Sequence, residues 1–107
     1  MINSIRPYLV VVLAVTVVIS VCLAQKSGEA TYTSKCAVCH GADGMARTSI
    51  GIAWKVKPVT DASVGKMELA EMLEVTRNGK GKMQSFKDKL SDAELRASVN
   101  YFRSLIK

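Results

Sequence analysis

The chain has 107 residues, 49% of them hydrophobic but only 6% aromatic, and its 15 Lys plus Arg against 9 Asp plus Glu give a net charge of +6. That length holds one domain with a small core, and the composition excludes a multidomain enzyme, a repeat array and a disordered tail. The positive excess is modest and shows no interleaving of basic and aromatic residues, which argues against nucleic acid as a partner.

The apolar share is uneven. Met1 to Pro7 carries Arg6 and no acid, Tyr8 to Ala24 carries no charge, and Leu9 to Val21 is apolar apart from Thr16 and Ser20. A positive start, an apolar middle and the small-x-small exit Cys22-Leu23-Ala24 read as a secretory signal peptide over residues 1–24. Cleavage after Ala24 leaves 83 residues, Gln25 to Lys107. The run is on the short side for a membrane span, which needs about 20 apolar residues, so the alternative is an uncleaved anchor. A lipid-modified Cys22 ranks last, because Val21 before it is bulkier than such processing prefers.

Without Cys22, two cysteines remain in Cys36-Ala37-Val38-Cys39-His40. Cys-x-x-Cys-His is the attachment signal for c-type haem. Two thiols one helical turn apart can add to the two vinyl groups on one edge of the porphyrin, and the histidine that follows is held beneath the iron. A thioredoxin-like pair would want a strand before it and a βαβ pattern around it, and the sequence offers neither. A structural zinc site needs four ligands, and one His with two Cys falls short.

With His40 the only histidine, a second axial ligand would be Met, Lys, Tyr or nothing. Met45 lies too close to His40 to reach the opposite haem face. Met67 and Met72 fall in a predicted helix, Lys66 to Asn78, where Leu69, Met72, Leu73 and Thr76 form an apolar stripe, the usual setting of a core methionine. Met83 sits in the glycine-rich loop Asn78-Gly79-Lys80-Gly81-Lys82-Met83, where a thioether can be aimed at a ring face or stand exposed.

Ser91 with Glu94 three residues on predicts a capping box and a helix to about Ile106, with Leu95, Val99, Phe102 and Ile106 on one face. A shorter helix is expected from Gly28 to about Lys35. Asp43 to Val64 reads mostly as loop, punctuated by Gly44, Gly51 and Pro58. The fold expected is all-α, three or four helices with no strand of consequence.

From Gly28 to Leu105 the chain resembles a class I c-type cytochrome of the small bacterial kind. The matching pieces are Gly28 and Tyr32, Cys36-Ala37-Val38-Cys39-His40-Gly41, the helix through Glu71 and Val75, the loop with Met83 and Phe86, and the helix from Leu90-Ser91-Asp92 to Leu105. The resemblance implies one covalently bound haem c per chain, held by Cys36 and Cys39, with His40 and Met83 as axial ligands of the iron. It implies that the first and last helices cross, with Gly28 meeting an aromatic, here Tyr101. By the same similarity Tyr32, Trp54, Pro58 and Phe86 belong to the haem pocket, and the Pro58 carbonyl would take the ring N–H of His40. Gln84 departs from the family, which often has proline after the ligand methionine, and this bears on the rigidity of the Met83 loop.

The function that follows is one-electron transfer, since His/Met ligation raises the reduction potential and six-coordination leaves no substrate site. The expectation is a carrier and not an enzyme, and a peroxidase lacks its distal histidine. It would be exported to the periplasm, monomeric, and would shuttle electrons between redox proteins. Lys80, Lys82, Lys87 and Lys89 bracket Met83 and would steer it to acidic partner surfaces. The alternatives are a membrane-tethered haem c subunit of a respiratory complex, with residues 1–24 retained, and a five-coordinate gas-binding or sensor haem protein.

Overall fold

The computed structural model describes residues 2–107, the side chains of residues 2–3 and 21–27 excepted, so Cys22 and its lipid reading lie outside the described side chains. Six helices follow in chain order: α1 (Ile2–Lys35), α2 (Ala37–His40), α3 (Ser49–Ala53), α4 (Ala62–Gly65), α5 (Leu69–Asn78) and α6 (Asp92–Ser104). Among the described residues there is no strand, only an isolated antiparallel bridge between Lys80 and Met83.

The helix expected from Gly28 is the end of a longer one, because nothing between Ala24 and Gly28 stops α1. Its N-terminal part presents exposed Tyr8, Leu9, Val10, Val12, Leu13 and Val18 and adds nothing to the core. Among the described residues, no helix is long and apolar enough to cross a membrane.

The C-terminal part of α1 crosses α6. A Cβ on Gly28 would collide with the Ala97 carbonyl, its carbon 2.9 Å away, so only glycine lets the two backbones meet there. The atoms nearest Gly28 at the crossing are thus the Ala97 backbone. One turn further along both helices, Tyr101 lies against Tyr32, with ring centroids 5.2 Å apart.

α5 lays Met72, Leu73 and Thr76 into the core, the predicted stripe, with Leu69 half-buried at its start. From α6 come Leu95 and Val99, flanked by Phe102 and Ile106. The Ser91 hydroxyl accepts the Glu94 N–H at 3.1 Å, and the Glu94 carboxylate accepts the Ser91 N–H at 3.1 Å. The Ser91 N–H first, and its hydroxyl second, hold the Glu94 carboxyl below its ordinary value of 4.5. A depressed carboxylate stabilises the fold above its unfolded value and loses that contribution as pH falls through its folded one. Thermal stability should therefore fall below about pH 4.5, and Glu94→Gln should flatten that fall in a series of melting curves.

The stretch expected as loop contains two short helices. The Thr48 hydroxyl accepts the Gly51 N–H and starts α3, and the Asp61 carboxylate accepts the Ser63 N–H and starts α4.

Candidate haem site

α2 is one turn long and carries the whole Cys-x-x-Cys-His motif with its N-cap, Cys36. The His40 N–H reaches the Cys36 carbonyl at 3.0 Å, and the Gly41 N–H reaches that of Ala37 at 2.8 Å. Cys36, Cys39 and His40 thus share one wall of a cleft of about 820 Å³. Such a volume lies within the range of about 300–1,000 Å³ usual for cofactor pockets. Both cysteines are free thiols and half-buried. Burial, then the neighbouring Cys39, pushes the Cys36 thiol up to about 11.

Burial also lowers His40 from its ordinary value, keeping the imidazole neutral. Its Nδ1 is buried with no hydrogen-bond partner among the described residues. The carbonyl of Pro58, expected to take that N–H, instead accepts the Asp61 N–H at 2.9 Å in the turn leading to α4. Pro58 does not line the cleft, whereas its neighbours Val56 and Lys57 do. What touches the imidazole is Phe102, edge-on, with centroids 5.2 Å apart.

α5 and the loop after it also line the cleft. Met83, half-buried, lines the cleft together with Phe86, Met67 and Met72. Met72 is 5% exposed and packs in the core, as a helix-stripe methionine should. The Met83 loop is tied down without a proline at position 84. Lys80 and Met83 exchange N–H and carbonyl at 3.0 Å in both directions, and the Phe86 N–H returns to the Thr76 carbonyl at 3.1 Å. The Ser85 hydroxyl donates to the Arg77 carbonyl at 2.7 Å, and Gln84 pairs with Lys89. Gly79, at φ +80°, has Met83 O 2.8 Å from where a Cβ would stand, so a side chain there would displace the loop.

Tyr32 and Trp54 complete the picture. Tyr32 is 1% exposed and lines the cleft from α1, its hydroxyl donating to the Gly41 carbonyl at 2.6 Å. Burial raises it well above its ordinary value, so it stays a donor. Trp54 stands half-open at the mouth, with Lys82 Nζ 5.7 Å from its ring centroid. Lys35, Lys57, Lys80 and Lys82 sit on the rim with a single acid, Glu71. Lys89 lies over Phe86 instead, and Lys87 is exposed away from the mouth.

The cleft thus gathers Tyr32, Cys36, Cys39, His40, Trp54, Met83 and Phe86, and leaves out Pro58. Sequence reading missed Lys35, Lys57 and Thr48, the last because its hydroxyl acts across ten residues on the Val38 carbonyl. The donor set fits a haem: two free thiols one turn apart, a buried imidazole beside them, and a thioether lining the same largely apolar cleft. It does not fit zinc, for the described residues hold no cluster of three metal-binding side chains.

Residues 23–102 match the family model described as cytochrome c oxidase, cbb3-type, subunit III. Among solved structures, one described as "KustC0563 c-type cytochrome" is similar, with a TM-score of 0.68 and 30% sequence identity over 75% of this chain and 98% of that one. No curated protein matches.

Proposed function

Since the chain belongs to the cbb3-type subunit III family of c-type cytochromes, we propose that it is a one-electron carrier with His40 and Met83 as axial ligands of one covalently bound haem c. The coarser statement, haem-based electron transfer among redox partners, comes with the family. What supports the finer one is a single observation: Cys36, Cys39, His40 and Met83 all line one largely apolar cleft.

The bound haem supplies an iron that gains and loses one electron. Around it, the residues of this chain bind and insulate. Cys36 and Cys39 would give up their thiol protons to haem carbons as the thioethers form. His40, neutral through burial, offers a ring nitrogen. Met83 offers sulfur, an uncharged ligand that raises the potential. Met72, Val99 and Phe102 exclude water, which keeps the charge change from reorganising much solvent.

The lysine rim gives a carrier fast encounters with acidic partners, as its short-lived complexes need. Lys80→Glu with Lys82→Glu should slow association with an acidic redox protein by about tenfold at low salt and flatten its ionic-strength dependence in stopped-flow traces. Association unchanged by the double reversal would locate docking elsewhere. Haem attachment is tested by denaturing electrophoresis with haem staining. The stain should stay with the chain and vanish when Cys36 and Cys39 are both replaced by alanine.

We assign residues 1–24 to a signal peptide and the carrier to the periplasm. The apolar run of α1, exposed and adding nothing to the core, supports this. The second reading is a tethered subunit of an oxidase, favoured by the oxidase after which the family is named and by the unbroken course of α1. N-terminal sequencing of the exported protein decides between them, since Gln25 at the terminus excludes the tether.

A further inference from the structure

A helix of one turn leaves its last carbonyls without partners of its own. In α2 these belong to the residues around His40, and each is met from outside. The Thr48 hydroxyl donates to Val38 O at 2.7 Å and lies 3.3 Å from Cys39 O. The Ala46 N–H takes His40 O at 2.8 Å. The Tyr32 hydroxyl takes Gly41 O at 2.6 Å. Two of these three donors are side chains, one from α1 and one from the cap of α3, and they grip the backbone on either side of the histidine.

The imidazole itself is held more loosely. Its Nδ1 has no partner among the described residues, and the Pro58 carbonyl is engaged elsewhere. Its direction is therefore set by its own backbone and by the edge of Phe102, which in turn stacks on Tyr32 with centroids 6.0 Å apart. Tyr32 so acts twice, through the Gly41 carbonyl and through Phe102. Thr48 is itself fixed by accepting the Gly51 N–H at 2.9 Å, and a Cβ on Gly51 would strike the Cys39 carbonyl, so α3 abuts the motif directly.

We propose that Tyr32 and Thr48 are positioning residues for His40, a hydroxyl clamp that fixes the plane of its imidazole relative to the haem. This rests on His40 being the iron ligand. Neither residue touches the iron, and both act through main-chain carbonyls.

The test uses the ferric holoprotein with Tyr32→Phe, Thr48→Val, Thr48→Ser and the Tyr32→Phe/Thr48→Val double variant. Proton NMR of the shifted haem methyl resonances reads the imidazole plane. The clamp predicts a rearranged methyl pattern in Tyr32→Phe and Thr48→Val, a larger one in the double variant, and the wild-type pattern in Thr48→Ser. It also predicts that acid displaces His40 faster in each single variant, about five- to tenfold in Tyr32→Phe, where the lost hydrogen bond is buried. If Tyr32→Phe fails to fold, the Thr48→Val and Thr48→Ser pair makes the same comparison. Lower melting temperatures with an unchanged methyl pattern would reduce both residues to structural supports and overturn the clamp. A low-spin spectrum retained in His40→Ala would instead overturn the ligand assignment itself.

Discussion

Met83→Ala is expected to lower the reduction potential by a few tenths of a volt, part of the span of about 0.8 V over which axial ligands act. The same variant should turn the ferric iron high-spin and make the reduced protein bind carbon monoxide, because sulfur no longer closes the sixth position. Met67→Ala and Met72→Ala are the controls. They line the same cleft, but they belong to the α5 stripe and its approach, so they should lower the melting temperature while leaving the ligand spectrum intact. Gly79→Ala tests the loop. Its Cβ would stand 2.8 Å from Met83 O on a backbone at φ +80°, so it should weaken the iron–sulfur signature with the methionine still present. A redox titration with absorption spectra on all four variants separates these outcomes.

The second large effect lies far from the iron. Gly28→Ala places a methyl against the Ala97 carbonyl, and α1 and α6 must move apart. Overpacking of this kind costs about 1–3 kcal/mol, a sizeable share of the roughly 5–15 kcal/mol that holds a small domain together. For a domain of this size that is about 10 °C in melting temperature, despite alanine's better helix propensity. Gly28→Val should do worse. Gly65→Ala is the contrast: its nearest neighbour would be Ile106 Cγ2 at 3.9 Å, an ordinary contact, so the change should be neutral or slightly stabilising. Calorimetry on the three variants checks the crossing directly. A Gly28→Ala protein as stable as wild type would mean that the helices do not meet there.

What the sequence made legible was local. The capping box at Ser91 and the stripe of α5 announce themselves in periodicity, and both helices lie within a few residues of their expected bounds. The motif names Cys36, Cys39 and His40 because its chemistry is written in consecutive residues. Other features depend on distant partners. Thr48 and Asp61 are cap residues, but the helices they start are only five and four residues long, too short to show a helical period, so α3 and α4 were hidden in a stretch read as loop. Gly28 signals a close approach, yet nothing in its surroundings says whether an aromatic ring or a carbonyl waits opposite. Pro58 stands near the site in sequence, but the turn into α4 claims its carbonyl for Asp61. The departure at Gln84 loses its weight once the Lys80–Met83 bridge and the Ser85 hydroxyl are seen to hold the loop.

The central claim is that His40 and Met83 both bind the iron of a covalent haem, and the absorption spectrum of the exported protein tests it most directly. The account predicts a low-spin spectrum in both oxidation states, the weak far-red band of ferric iron bonded to methionine sulfur, and no response of the reduced protein to carbon monoxide. A high-spin ferric spectrum lacking that band, with ready carbon monoxide binding on reduction, would contradict it and leave a gas-binding haem protein in its place.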